Sequence, residues 1–386
     1  MRDLTPQIVL DITGGELWGT LPAGELSAIT WDSRTVTPGC LFAAIPGERV
    51  DGNDFIAAAG SAGAACALCN RFADTELPQI RVPDTQAALH RIATYYRSRF
   101  DIPVIGVTGS VGKTTAKEMI ASVLSARYST LKTEKNYNNE LGVPMTLFGL
   151  REGHQAAVVE MGISGFGEMT RLTGMVRPSI AVFTLIGDAH LEFLGDRNGV
   201  LRAKGEIVSG MPPEGVVIAN GDDALLRSHD FGRRTVLFGT GENCDVRAVD
   251  IENDGVSGLR CVILAGERRI PVRVPAFGRH LVYAALMGAA VGSELGLTDE
   301  EIIRGIAGYA PVGSRSRVME TGYLTILDDC YNANPTSAKS ALDSLVSLPG
   351  RHVAILGDML ELGENGPSLH RELGAYAADR GVLVAA

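Results

Sequence analysis

Apolar and polar positions alternate along this chain in two registers. In residues 102–309, short apolar runs of strand length are separated by stretches in which apolar residues recur every three or four positions. The runs 102–107, 156–159, 179–186 and 216–219 predict buried strands, and 113–128 an amphipathic helix. Strands buried on both faces and separated by helices imply a mostly parallel α/β sheet. Over residues 245–274 the helical period lapses into short alternating strands around the turn Asn253-Asp-Gly255, which predicts an antiparallel extension of that sheet. Helices resume after His280.

Residues 1–100 read as a first domain of short strands and helices, with turn signals at Thr37-Pro-Gly39, Ile45-Pro-Gly47 and Val50-Asp-Gly52. Residues 101–310 form a central domain. Residues 311–386 form a third, patterned as strand 323–327, helix 335–348, strand 352–356, helix 368–379 and strand 382–384. Three strands make a thin α/β domain, and a last strand without a covering helix leads us to expect a truncated one ending at Ala386.

A chain of 386 residues, 45% of them hydrophobic, can fill two or three such cores. The net charge of -10 argues against a general nucleic-acid or anionic-membrane surface, so any phosphate site has to be a local pocket. No signal-peptide pattern or apolar span of about 18 residues is visible, and a cytoplasmic location is expected. The six cysteines are scattered; Cys66 and Cys69, the one close pair, lack nearby histidines and read as buried free thiols.

The chemistry concentrates between the strand at 102–107 and the helix at 113–128. The turn Gly106-Val-Thr-Gly-Ser-Val-Gly-Lys113-Thr114-Thr115 joins them, with Val107 where the usual phosphate-loop pattern has its first glycine. Backbone N–H groups of Gly109, Ser110, Val111, Gly112 and Thr115 can cradle phosphate oxygens, Lys113 can reach the outer phosphates, and the Thr114 hydroxyl can hold Mg2+. The expected ligand is a nucleoside triphosphate.

Ligands of open α/β sheets sit beyond the carboxyl ends of the strands, which gives weight to Glu160 and His190. Glu160 is either a solvated strand end or a magnesium ligand, and His190 either caps a turn or joins the site. Lys204 lies within the apolar stripe Val200, Leu201, Ile207 and Val208 of a helix expected over 197–209. Its ammonium either snorkels to water or is desolvated, with a lowered pKa that lets the amine take up CO2 as a carbamate.

Together the segments Thr108-Gly-Ser-Val-Gly-Lys-Thr-Thr115, Val159-Glu-Met-Gly162, Ala189-His-Leu-Glu192 and Ala203-Lys-Gly-Glu-Ile207 resemble the Mur ligase family, in order and in spacing, and the resemblance runs over nearly the whole chain. It implies a three-domain architecture: an N-terminal uridine-nucleotide domain, a central ATP-binding domain with the phosphate loop, and a Rossmann-like C-terminal domain. It also implies ATP and Mg2+ as cofactors, one magnesium on Thr114 and Glu160, and a second on Glu160, His190 and a CO2-derived carbamate of Lys204. The displaced first glycine is shared by the family.

Asp32-Ser33-Arg34, Pro38-Gly39 and Leu41-Phe42 resemble the family's uridine-nucleotide domain, and Asn136-Tyr-Asn138-Asn139-Glu-Leu-Gly-Val-Pro144 a further substrate segment. Arg315 matches a hinge arginine and Asp329 a ribose-side aspartate in Asp328-Asp-Cys-Tyr-Asn-Ala-Asn-Pro335. These motifs and Leu356-Gly-Asp-Met-Leu-Glu-Leu-Gly363 resemble the branch that joins D-alanyl-D-alanine to UDP-MurNAc-tripeptide. An Asp-Asn-Pro-Arg motif, expected of the tripeptide-forming branch, is absent from the sequence. The implied activity is ATP-dependent amide-bond formation in peptidoglycan precursor synthesis, by a monomer that engages neither nucleic acid nor membrane. The chain departs from the family at Leu281 and Ala284, where asparagines are usual; neither side chain can hydrogen-bond an adenine edge. Two rival readings are another amide ligase of this superfamily and a non-catalytic nucleotide-binding protein.

Overall fold

The central apolar runs, rich in valine, isoleucine and alanine, are buried on both faces and anchor a sheet of nine strands. In a computed structural model describing residues 1–385 except Glu48 and Ser316, the sheet runs Arg268–Val274, Leu259–Ala265, Val246–Asn253, Arg234–Gly239, Val216–Asn220, Ile180–Phe183, Val104–Thr108, Ala156–Glu160, Thr130–Lys132. Ala386, the end of the expected third domain, lies outside the described residues. Pairing is parallel from Thr130–Lys132 through Val246–Asn253 and antiparallel for the last two strands. The expected antiparallel extension is therefore present, as a sheet edge in which exposed and buried positions alternate along Arg268–Val274.

The strand Val104–Thr108 lies between Ala156–Glu160 and Ile180–Phe183, with Val107 opposite Glu160 and Thr108 opposite Phe183. Chain order reverses across this strand, the place where doubly wound sheets open a crevice. Behind the crevice, the helix Lys113–Leu124 packs on Leu281–Glu294 and Asp299–Ala307 over a core that includes Ile105, Met119, Ile120, Val182, Ile218 and Phe238. The second of these helices starts at a capping box of Thr298 and Glu301.

This sheet belongs to a unit of residues 103–132, 155–173 and 177–385. Its last part has its own small core of Leu342, Ala354, Met359, Leu362, Leu373 and Ala377 beneath the helices Pro335–Val346 and Gly366–Asp379. Here the strand Arg317–Glu320, not anticipated from the pattern, pairs with Thr325–Asp328, so Tyr323 lies in the exposed connecting turn rather than in a strand. The helix expected over 197–209 is α-helical for Arg197–Gly205 and tightens to a 3-10 turn over Glu206–Gly210.

The other unit comprises residues 1–102, 133–154 and 174–176. Its five-stranded sheet runs Glu16–Trp18, Gln79–Arg81, Cys66–Cys69, Leu41–Ala43, Ile29–Thr30, parallel except for the first pair. Tyr96, fully buried on the helix Thr85–Ser98, donates its hydroxyl to Leu150 O at 2.8 Å, and buried Arg97 donates to the carbonyls of Phe100 and Val176. Cys66 and Cys69 are buried free thiols, as expected, Cys40 is another, and burial pushes the Cys66 thiol up to about 12. Among the described residues, no helix is long and apolar enough to cross a membrane.

Close helix packing supports the crevice from behind. A Cβ on Gly305 would come within 2.4 Å of Val123 Cα in the phosphate-loop helix, whereas one on Gly374 meets nothing within 4 Å. Gly305→Ala is expected to destabilise its unit by about 1–3 kcal/mol through overpacking, and Gly374→Ala to stabilise by about 0.5–1 kcal/mol by removing a helical glycine. Urea unfolding followed by circular dichroism measures both; equal effects would contradict this packing.

Candidate functional site

The phosphate loop is held open by two glycines with positive φ. Gly109 has φ +141° and Gly112 φ +82°, the latter starting the helix Lys113–Leu124 without a side-chain cap. The first N–H groups of this helix are therefore left for a ligand. Neighbouring strand ends hold the loop in shape. Ser110 N donates to Leu185 O at 2.9 Å, the Ser110 hydroxyl exchanges hydrogen bonds with Gly187, and Thr184 Oγ1 donates to Val111 O at 2.6 Å. Asn220 Nδ2, at the end of the next strand, donates to Thr184 O at 3.0 Å.

Lys113 folds back over the loop and donates to Gly109 O at 2.8 Å. Burial lowers its pKa, Glu160 opposes that shift and Arg315 adds to it. Thr114 is buried beside it, and Thr115 meets the hydroxyl of Tyr309, whose pKa burial pushes up to about 12. Strand register sets Glu160, only 2% exposed, opposite Val107 at the start of the loop. The turn after Glu160 is fixed by Glu206, whose carboxylate accepts from Gly167 N and from both the N–H and the hydroxyl of Thr170.

Lys204 is fully buried, and among the described residues its Nζ meets no hydrogen-bond partner. Its pKa lies well below the ordinary lysine range because burial and then Lys113 disfavour the ammonium, against a smaller opposing pull from Glu168. Snorkelling is thereby excluded. His190 adopts a left-handed backbone, φ +55°, and burial followed by the charge of Lys204 lowers its pKa, with Glu361 acting the other way. Its Nδ1 lies 2.5 Å from Glu361 Oε2, a close contact outside the alignment of a full hydrogen bond.

Arg315 stacks over Tyr331, 4.0 Å from the ring centroid, and is electrostatically coupled to Lys113; Asp329 follows the strand Thr325–Asp328 and is partly buried. Lys113, Glu160, His190, Lys204 and Arg315 thus belong to one electrostatic cluster around the loop. Ser33, Arg34, Asn138 and Asn139 lie in the other unit. Arg34 is exposed and forms a bidentate pair with Asp32, while Asn139 Oδ1 accepts from Gly142 N at 2.8 Å. An edge contact of Trp31 with Tyr137, centroids 6.5 Å apart, brings these two segments of that unit together.

The donor set suits a hard cation that takes its remaining ligands from phosphate. Thr114 and Glu160 offer oxygen and His190 imidazole, and among the described residues no three His, Cys, Asp or Glu side chains cluster to hold a metal alone. The fully buried, unpartnered Lys204 amine is an orphan that a bound group would satisfy. Leu281 and Ala284 are 3% and 2% exposed and packed in the core, while neighbouring Tyr283 donates to Asp222 at 2.9 Å. Thr184, Glu206 and Glu361 were not singled out from the sequence. Of these, only Thr184 carried a signal, as a polar residue within the apolar run 179–186.

Gly109 leaves no room for a side chain, since a Cβ there would lie 1.9 Å from Thr184 Oγ1. Gly109→Ala is expected to weaken ATP binding about tenfold or more, from a strain of about 1–3 kcal/mol. Calorimetric titration with ATP measures it, and unchanged affinity would contradict the loop geometry.

Comparison with known proteins gives three domain matches: the Mur ligase family catalytic domain over residues 25–97, the Mur ligase middle domain over 107–292, and the Mur ligase glutamate ligase domain over 314–386. The chain is 37% identical over 387 residues to UDP-N-acetylmuramoyl-tripeptide--D-alanyl-D-alanine ligase of Escherichia coli, covering 99% of this chain and 85% of that protein. Among solved structures, it is similar to MurF from Acinetobacter baumannii (TM-score 0.91, 36% identity, 97% of this chain and 83% of that one). It is also similar to MurF ligase from Thermotoga maritima in complex with ADP (TM-score 0.84, 30% identity, 92% and 83%). With a phosphate loop, an acidic strand end and a buried lysine in one crevice, and matches along nearly its whole length, this chain belongs to the Mur ligase family.

Proposed function

We propose that this chain joins D-alanyl-D-alanine to UDP-MurNAc-tripeptide with ATP, giving UDP-MurNAc-pentapeptide, ADP and phosphate for peptidoglycan precursor synthesis in the cytoplasm. The observation that carries this reading is the gathering of Lys113, Glu160, His190 and the unpartnered Lys204 about one phosphate loop, in a chain whose relatives bear that ligase name. The terminal carboxylate of the tripeptide attacks the γ-phosphorus of ATP, the bond to the β-phosphate oxygen breaks, and ADP leaves. The amine of the dipeptide then attacks the acyl phosphate carbon, phosphate departs, and the amine loses a proton as the amide forms.

Two anions have to meet in the first step, so the chain's part is to offset charge and to hold geometry. Loop N–H groups of residues 109–115 grip the phosphates, Lys113 swings from Gly109 O to the outer phosphates, and Arg315 adds positive charge from the third domain. Thr114 and Glu160 would hold one magnesium, and Glu160, His190 and a carbamate of Lys204 a second. Bound magnesium would neutralise phosphate charge and align the donor and acceptor oxygens. Ser33, Arg34, Asn138 and Asn139 bind the uridine-nucleotide substrate, and Asp329 the ribose of ATP. Residues 1–100, 101–310 and 311–386 divide this work as substrate, nucleotide and closing domains.

Mass spectrometry of a mixture of the protein, ATP, Mg2+, UDP-MurNAc-tripeptide and D-alanyl-D-alanine is expected to show the pentapeptide, dependent on every component. ADP without pentapeptide would point to a different acceptor, and bound nucleotide with neither product to a non-catalytic role.

Lys204 gives a separate prediction. Its depressed pKa populates the neutral amine, which is the form that adds CO2, and raising the pH through that pKa populates it further. Activity is therefore expected to rise with pH in that window and to fall in bicarbonate-depleted buffer. Lys204→Ala is expected to lower the rate about 100-fold with far less change in nucleotide affinity. Added formate is expected to rescue Lys204→Ala but not Lys113→Ala, and full unrescued activity of Lys204→Ala would remove the carbamate.

A further inference from the structure

His190 and Glu361 share a peculiarity of backbone. Both are non-glycine residues in the left-handed region, at φ +55° and +59°, and their side chains meet, with Nδ1 2.5 Å from Oε2. An L-residue other than glycine or asparagine in this region costs about 1–2 kcal/mol. Glycine or asparagine would suit position 361 if backbone shape alone mattered there.

The loop that carries Glu361 is anchored on both sides of it. Met359 and Leu362 are each 4% exposed in the small core of the C-terminal part, and Leu360 between them is exposed. His370 clamps the loop: its Nε2 accepts from Met359 N at 3.0 Å, and its Nδ1 donates to Gly366 O at 2.8 Å. Gly363, at φ +59°, runs so close to the segment after His190 that a Cβ there would lie 3.5 Å from Glu192 Cα. With Met359 and Leu362 turned inward, Glu361 is presented outward against the imidazole.

We propose that Glu361 is the positioning residue for His190: its carboxylate takes the Nδ1–H of the ring, fixes that tautomer, and leaves the Nε2 lone pair for the cation at the phosphate loop. A carboxylate on the far nitrogen is the usual partner of a metal-bound histidine, because it sets ring orientation and raises ligand basicity. Glu361 comes from the segment following residue 311 and His190 from the loop after the central strand Ile180–Phe183, so this partner is in place only while the C-terminal part is docked. Docking thereby completes the cation site. The inference rests on the reading of His190 as a magnesium ligand.

The test uses the full chain with Mn2+ and a non-hydrolysable ATP analogue, reading free Mn2+ by electron paramagnetic resonance. Glu361→Asn suits the left-handed backbone but lacks the charge and reach of glutamate, and His190→Asn likewise suits φ +55°. Glu361→Asn is expected to melt no lower than the parent, yet to bind Mn2+ about 10–100-fold more weakly, with analogue affinity in EDTA unchanged. Adding His190→Asn to Glu361→Asn is expected to cost little more, as for two residues acting through one contact. If His190→Asn weakens Mn2+ and Glu361→Asn does not, the positioning role is overturned while the metal reading stands. If His190→Asn itself leaves Mn2+ affinity unchanged, both fall. Glu361→Gln, which keeps shape and length, guards against a folding defect: parent-like Mn2+ affinity in both Glu361 variants would overturn the proposal.

Discussion

Strand register at the centre of the larger sheet is the constraint on which the site depends. Pairing Val107 with Glu160 and Thr108 with Phe183 brings three strand ends level, so that the chain leaving Thr108 has to turn between them. Gly109 is the only residue type that fits against Thr184 there, and Thr184 in turn fastens Val111. A one-residue slip in either pairing would turn Glu160 or Thr184 to the opposite face of the sheet. The cradle therefore owes its shape to sheet hydrogen bonding and to the apolar core behind it, with few contacts of its own.

Charge is the second theme. Lys113, Lys204 and His190 are packed closely enough that Lys113 lowers the proton affinity of the other two and Lys204 that of His190, and burial lowers all three. One unit of pKa corresponds to about 1.4 kcal/mol of differential stabilisation. Such a cluster is poorly suited to remaining fully protonated and well suited to receiving anions, which is what phosphate transfer to a carboxylate demands. Glu361, at the edge of the cluster, ties this chemistry to the C-terminal part by holding the one imidazole in it.

Most of the architecture was legible in the residues. Apolar runs bounded by glycine and proline located the central strands, and Asn253-Asp-Gly255 marked where parallel pairing gives way to an antiparallel edge. The strand Arg317–Glu320 was missed because four residues with a single strong β-former carry little period, and its pairing with Thr325–Asp328 arises from chain reversal at Gly322. The helix at Arg197 ends in a tightened turn because Glu206 is drawn to the amides of Gly167 and Thr170, a long-range demand that no local pattern records.

By itself the sequence determined the phosphate loop, the positions of the central strands along the chain and the residue types available to the crevice, because those follow from local spacing and from the burial that apolar runs require. Whether Lys204 reaches water or stays desolvated was open at that level, since a lysine in an apolar stripe has the same spacing in both cases. Tertiary packing settled it by enclosing the ammonium completely. The pairing of His190 with Glu361 lay beyond the sequence for a related reason: the two are separated by most of a domain, and only the folded chain carries a charge on one loop to a ring on another.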